Sequence, residues 1–442
     1  MRKKRDLASR FIGNTGWMMF KNIYSMLVSL IVGSLSARYL GPSNYGLISY
    51  ASSIISFFTT VSKLGMDTVV VAEIVRKPEK EGSYLGSALV MRLITSILSF
   101  FAIWGLMLVL EPGNTLLIVV TILQAIAIVF QTTEVLYYWF QARLEMKYVT
   151  IAGVLALTVT GIWRISLLAN EATVQWFAFS SSISALVSGI SIVYFYLRKS
   201  KVKLSVSLPD CKFILSRSAP FIVNGLAVTL YTQLDRIMLG RVVSETAVGY
   251  YSAASTIAVM WEFVPTAITN SARPLLVSMY EKGRAKFEYN YKMILVGISL
   301  LGLLVGVFFT VFAKLIVYIL YGEAYYSAIP ALSILIWSTS FAMIGTARGI
   351  WIVSENKNKY PMYFTLSGAI LNAVLNAMVI PTFGVTGASV TTLVTQCFTA
   401  IFMPSLFKET RYFCKLYFSS FKLFPDMMKM AKKYVSDKIK TK

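Results

Sequence analysis

Leu40-Gly41-Pro42-Ser43-Asn44-Tyr45-Gly46 decides how this chain is read, together with its later echo, Leu239-Gly240 followed by Val248-Gly249-Tyr250-Tyr251. Each is a short turn between two long apolar runs. Each follows charge at the end of a run: Arg38 in the first copy, Asp235-Arg236 in the second. After the turn the copies stay in step. Gly46, Ser49, Ala51 and Ser52 are matched by Gly249, Ser252, Ala254 and Ser255, with four extra residues in the second turn. Chance is one reading, because Leu, Gly, Ala and Ser abound in membrane proteins. The other is a chain of two similar halves, an organisation common among transporters.

The composition around these turns fits a membrane protein. Of 442 residues 56% are hydrophobic and only 14% charged, against about 25% charged in soluble domains. One core cannot hide that much apolar surface, so the chain reads as a polytopic membrane protein. A spanning helix needs about 20 apolar residues, and twelve runs qualify: 13–37, 45–64, 84–109, 115–136, 149–169, 174–197, 218–240, 248–272, 292–313, 328–350, 361–381 and 386–406. Between the second and third, Met66 to Ile74 is apolar but too short to span, so 65–83 reads as a loop with an amphipathic start. The run 309–321 is placed to extend the ninth helix outward. The fold expected is all-α, with about twelve transmembrane helices in two six-helix bundles, residues 1–205 and 206–407, and a basic tail at 408–442.

The charges fit that topology. The net charge of +22 comes from 42 Lys and Arg against 20 Asp and Glu. With a cytoplasmic N-terminus, 35 of the 42 fall in the two tails and alternate loops, and only Arg38 and Arg241 in outer loops. Cytoplasmic loops gather Lys and Arg, and anionic lipid attracts them. No nucleic-acid motif accompanies the charge, so nucleic acid is not an expected partner. The basic start Met1-Arg2-Lys3-Lys4-Arg5 precedes no short apolar core with a cleavage site, so it reads as a retained cytoplasmic terminus. Both termini are then cytoplasmic. The outer loops are short, and the basic connector Arg198–Arg217, with Pro209, joins the two halves in the same orientation. In the tail, Leu423 to Lys440 suits a basic amphipathic helix on the membrane surface or simply a solvated basic tail.

Much chemistry is excluded. There is no His, hence no His base, His metal site or Ser-His pair. Cys211, Cys397 and Cys414 have neither metal-ligand nor disulfide spacing. No metal and no cofactor is expected.

Ionisable residues inside the membrane are functional candidates by default. Lys21 stands about two turns into the first run and Arg92 about two turns into the third. Arg164 lies in the outer half of the fifth, and Asp235 and Arg236 near the outer end of the seventh. Glu262 sits inside the eighth, beside Trp261 and before Pro265. Glu134 follows Gln124 and Gln131 on one face of the fourth. Cations outnumber acids. Either Arg92, Arg164 and Arg236 pair with Glu134, Asp235 and Glu262 to hold helices together, or they line a wet cavity for an anionic substrate, since guanidinium suits phosphate. Pro220, Pro265, Pro330 and Pro361, and Gly297, Gly302 and Gly306 in the ninth run, suit kinked and closely packed helices.

Several stretches, in this order and spacing, resemble polysaccharide-export flippases of the Wzx type. They begin with Asn14 and Ala37-Arg38-Tyr39-Leu40-Gly41-Pro42, then Lys63-Leu64-Gly65-Met66-Asp67. Gln233-Leu234-Asp235-Arg236-Ile237-Met238-Leu239-Gly240 follows, then Leu320-Tyr321-Gly322-Glu323 and Pro381-Thr382-Phe383-Gly384-Val385-Thr386-Gly387. The likeness covers nearly all the chain before Phe407. That family belongs to the multidrug/oligosaccharidyl-lipid/polysaccharide exporter superfamily. The resemblance implies a MATE-like pair of six-helix bundles arranged as a V, and alternating access in the bacterial cytoplasmic membrane. The implied cargo is an undecaprenyl-diphosphate-linked oligosaccharide for O-antigen, capsule or exopolysaccharide. It implies substrate contact at Arg92 and Arg164, then Lys21 and Arg236. Coupling to a proton or sodium ion would fall to Glu134, Asp235 or Glu262. Membrane lipids and other polysaccharide-assembly proteins are the further partners implied. A multidrug exporter of the superfamily would favour embedded acids over cations. A membrane polymerase or ligase would need a larger outer loop. A non-enzymatic transporter is expected.

Overall fold

A computed structural model describes residues 2–427 and Lys429, and these contain helices and no strand. The chain divides into two compact units, Met1–Gly249 with Leu320–Ala324, and Tyr250–Ile319 with Tyr325–Lys442.

The first unit opens with α1 (Arg2–Lys63), two helical arms joined at Gly41, where φ is 71° and ψ 170°. That left-handed φ suits glycine, and Pro42 starts the second arm without needing an amide donor. Then come α2 (Met66–Arg76), α3 (Glu81–Leu110), α4 (Thr115–Phe130), α5 (Val135–Ala142), α6 (Met146–Ala169), α7 (Val174–Lys199) and α8 (Leu208–Val242). The stretch expected to be a loop after the second span is the helix α2. It buries Met66, Val69, Val70, Glu73 and Ile74; at about 1.5 Å per residue it is too short to span. Packing, not length, makes it helical.

The first arm of α1 runs parallel to α6. The Met146 amide donates to Asn14 Oδ1, and the Thr150 hydroxyl to the Trp17 carbonyl. The Tyr24 and Thr158 hydroxyls lie 2.7 Å apart, and the Tyr39 hydroxyl donates to the Ala172 carbonyl. Partner numbers rise together, which only parallel helices allow.

The connector after α7 lies extended along the start of α3. The Ser205 amide donates to the Gly82 carbonyl at 3.2 Å and the Ser207 amide to Ser87 Oγ at 3.1 Å. A Cβ at Gly82 would fall 2.3 Å from the Lys203 carbonyl oxygen, and one at Gly86 2.2 Å from that of Ser205. Gly82-x-x-x-Gly86 is thus a groove for backbone. Ion pairs surround it: Glu81 with Arg143 at 2.7 Å, the buried Glu73 with Arg217 at 3.2 Å, and Asp210 with Lys80 at 3.6 Å.

The two copies of the opening motif meet in this unit, where α9 (Glu245–Met260) begins. A Cβ on Gly46 would lie 1.7 Å from the Glu245 carbonyl oxygen, and one on Gly249 2.0 Å from that of Pro42. Glu245 stands four residues before Gly249 and Pro42 four before Gly46. The contact is therefore reciprocal, position for position.

In the second unit α9 stops at Met260 and α10 (Phe263–Lys282) begins after a break at Trp261–Glu262. The eighth run is therefore not one continuous helix. Pro265 supplies the reason: its ring clashes with the carbonyl four residues back, that of Trp261. α11 (Arg284–Val311), α12 (Ala313–Tyr321), α13 (Ile329–Ser354) and α14 (Tyr360–Cys397) follow. α14 bends at Gly384 (φ 51°, ψ −128°). Gly302 and Gly306 bring α11 against α13, where a Cβ would meet Ser340 and Trp337 at 3.0 Å.

Arg348, counted above with the basic loops, is instead 7% exposed within α13. It donates to the Thr399 and Ala400 carbonyls at 2.7 and 2.9 Å, in the π-helical turn Phe398–Phe402. That turn departs from the regular bonding ladder, and the guanidinium satisfies its carbonyls. The chain continues through α15 (Met403–Leu406) to α16 (Arg411–Ser420), which buries Phe413, Leu416 and Tyr417. The surface helix expected over Leu423–Lys440 lies mostly outside the described residues.

Nine helices among the described residues are long and apolar enough to cross a bilayer. The two bent at Gly41 and Gly384 carry two predicted spans each. The run 248–272 straddles the break at Trp261–Glu262 and is not one of the nine. The protein is a polytopic all-α membrane protein.

Candidate functional site

A cavity of about 480 Å³ opens in the first unit between α1, α6, α7 and the turn before α5. Its wall is set by helical spacing. On α1, Lys21, Ser25 and Ser29 recur every four residues. On α7, Ser180, Ser184 and Ser188 do the same, with Ser181 beside them. On α6, Gly153, Ala156, Thr160 and Gly161 keep the wall thin, and Arg164 closes the row. Residues three and four apart share a helix face, so each helix gives the cavity one stripe of small or hydroxyl side chains. The Tyr137 and Ser188 hydroxyls lie 2.5 Å apart on the wall.

Of the residues singled out above, Lys21, Arg164 and Glu134 line the cavity. Arg92 does not. It is 1% exposed and stands behind Glu134, donating to its carboxylate at 2.8 Å and to the Tyr138 hydroxyl at 3.5 Å. The acid on the wall is thus already held by a cation from within the protein. Lys21 and Arg164 have no carboxylate partner among the described residues. Arg164 Nε and Gln131 Oε1 are buried on this wall without a protein hydrogen-bond partner. Two uncommitted cations and one committed acid leave the wall positive. Taking a charge out of water carries a penalty of several kcal/mol, about the same for each ion, so the wall favours an anion.

Arg236 and Asp235 lie elsewhere, late in α8. Arg236 donates to Gln233 Oε1 at 3.1 Å and to the Thr232 carbonyl at 3.4 Å, and Asp235 is 3% exposed. Glu262 belongs to the second unit. It sits at the α9–α10 break, and no side chain among the described residues bonds its carboxylate. Trp261 beside it donates to Thr339 Oγ1 at 2.8 Å.

The residue-by-residue reading of charges passed over two polar features. One is the serine ladder of the cavity, signalled only by hydroxyls four apart in apolar runs. The other is a buried seam between the arms of α14. There Asn376 Nδ2 donates to Asn372 Oδ1 at 3.1 Å, and the Thr391 hydroxyl donates to Asn376 Oδ1.

Comparisons with known proteins agree with this architecture. The family model described as polysaccharide biosynthesis protein matches residues 11–280, and the MatE model matches 220–378. The putative O-antigen transporter of Escherichia coli (strain K12) is 21% identical over 379 residues, covering 84% of this chain and 90% of that protein. The capsular polysaccharide biosynthesis protein CapF of Staphylococcus aureus is 24% identical over 400 residues, covering 87% and 96%. Among solved structures, the lipid II flippase MurJ in an inward closed conformation superposes with a TM-score of 0.70 at 16% identity, covering 93% of this chain and 91% of that one. At that identity the likeness shows a shared fold.

Proposed function

Since the chain belongs to the polysaccharide biosynthesis protein family, we propose that it flips an undecaprenyl-diphosphate-linked oligosaccharide repeat unit across the bacterial cytoplasmic membrane. The product serves O-antigen, capsule or exopolysaccharide assembly. The observation that carries this reading is the hydroxyl-lined cavity with Lys21 and Arg164 on its wall. Sugars leaving water need replacement hydrogen bonds, since an unsatisfied buried polar group costs about 1–3 kcal/mol. The serine stripes offer such bonds at four-residue intervals. The diphosphate needs cations, and the wall presents two without carboxylate partners. The polyprenyl tail stays in the bilayer. Arg92 serves by holding Glu134, and Arg236 is a secondary contact. The basic loops and both termini face the cytoplasm, following the positive-inside rule.

Transport proceeds by alternating access and the chain performs no bond chemistry. Glu262 is our first choice for coupling to a proton or sodium ion, ahead of Asp235 and of Glu134, which Arg92 holds. It is an acid in a spanning segment at a helix break, with no side-chain partner among the described residues. Glu262→Gln should uncouple export from the ion gradient while leaving substrate binding in place. Unchanged gradient dependence in that variant would remove Glu262 from the role.

The test of the whole reading is made in cells lacking this gene. Undecaprenyl-diphosphate-linked repeat units are extracted and weighed by mass spectrometry, and surface polysaccharide is assayed in parallel. Complete units accumulating on the cytoplasmic face with loss of surface polymer is the expected result. Units that reach the outer leaflet but are not polymerised would overturn it in favour of a polymerase. No change in either would also overturn it.

A further inference from the structure

The two uncommitted cations do not stand together. Lys21 packs on Gly153: a Cβ there would lie 2.6 Å from Lys21 Cε. Arg164 is eleven residues further along the same helix. At 1.5 Å and 100° per residue, eleven residues return to nearly the same face about 16 Å away. One cation therefore marks each end of the cavity, with Ser25, Ser29 and Ser184 among the side chains between. Packing against Gly153 keeps the Lys21 stem at its end. Arg164 Nε, buried at the other end, keeps the root of the guanidinium there. A diphosphate gathers its negative oxygens in one compact cluster and does not occupy both ends.

Resting on the flippase reading above, we infer that the glycan is itself acidic: its repeat unit carries a carboxylate, as a uronic acid does. One cation receives the diphosphate and the other that carboxylate, with the sugars between them over the serine stripes. A neutral repeat unit would leave one desolvated cation without a counter-charge. Lys and Arg both make charge-assisted bonds to either group, so the experiment decides which end takes which.

The test uses two strains of one bacterium lacking its own flippase. One makes an undecaprenyl-diphosphate repeat unit containing glucuronic acid, and the other makes the same unit with glucose in its place. The full-length protein, Lys21→Gln and Arg164→Gln are expressed in both at matched membrane levels, and surface polymer is measured. The unsubstituted protein should export the uronate unit at least about tenfold better, the scale of one charge-assisted hydrogen bond. One variant should lower export of both units, marking the diphosphate end. The other should lose the uronate unit alone, bringing the ratio near one, with the Arg164→Lys or Lys21→Arg counterpart restoring it. Equal export of both units by the unsubstituted protein would overturn the inference while leaving the flippase reading standing. So would two variants that each lower both units alike. Export of neither unit by the membrane-inserted protein would overturn the flippase reading, and this inference with it.

Discussion

Arg92 and Arg164 are both arginines inside long apolar helices of the same unit, and their surroundings differ in one respect. Arg92, 1% exposed, has Glu134 at 2.8 Å and stands behind the cavity. Arg164 stands on the cavity wall, and no carboxylate among the described residues reaches it. Burial alone does not separate structural from functional cations. The presence of a committed counter-charge does. A guanidinium already neutralised by the protein has little left to offer a guest, while one without a protein counter-charge is held ready at the expense of stability.

The largest effect that would test the contrast is stranding Arg92. Glu134→Ala leaves a deeply buried cation unpaired, which should destabilise the protein by about 3–5 kcal/mol. The melting temperature in detergent and the amount of membrane-embedded protein should both fall. The double variant Arg92→Met with Glu134→Gln should recover most of that loss. A silent Glu134→Ala would erase the distinction between the two arginines. Next comes the opposite sign at the other site. Arg164→Met removes an uncompensated charge and should leave stability unchanged or raise it by about 1–2 kcal/mol, even as export drops by tenfold or more. A large fall in melting temperature would show that Arg164 is structural after all. Arg92→Lys keeps the charge but loses the planar fork, so its loss should be smaller, about 1 kcal/mol. Ser184→Ala, on the cavity wall, should change stability by no more than about 0.5 kcal/mol. Its effect should instead be seen in export rate.

The sequence reading reached the helices because runs of about 20 apolar residues have few alternatives, and the bends at Gly41 and Gly384 fell where it placed turns. Pro265 carried the signal for the break at Trp261–Glu262, although its effect lands four residues upstream of the proline. α2 was not legible as a helix, because eleven residues become helical by burying Met66 and Val70 and not by their own propensity. Arg348 was misplaced because hydropathy sees a charge near the end of a run and assigns it to water. Its partners, carbonyls fifty residues away in a π turn, have no signature in composition. The candidate site was half legible. Its charged residues could be named, but the link of Arg92 to Glu134 spans 42 residues and follows no periodicity. The serine ladder was overlooked for a different reason. Hydroxyls satisfy themselves inside helices by bonding a carbonyl one turn back, as Ser191 does with Val187, so a cavity-lining serine and a self-satisfied one look alike in sequence.

The crossing of Gly46 and Gly249 has a bearing on how the chain can change. Each glycine faces the carbonyl four residues before the other, which is the geometry of a two-fold contact, where residue i meets j and j meets i. A side chain gained at either position collides with the other copy of the same motif. Neither glycine can then drift alone, and the two, about two hundred residues apart in the chain, form a single heritable character.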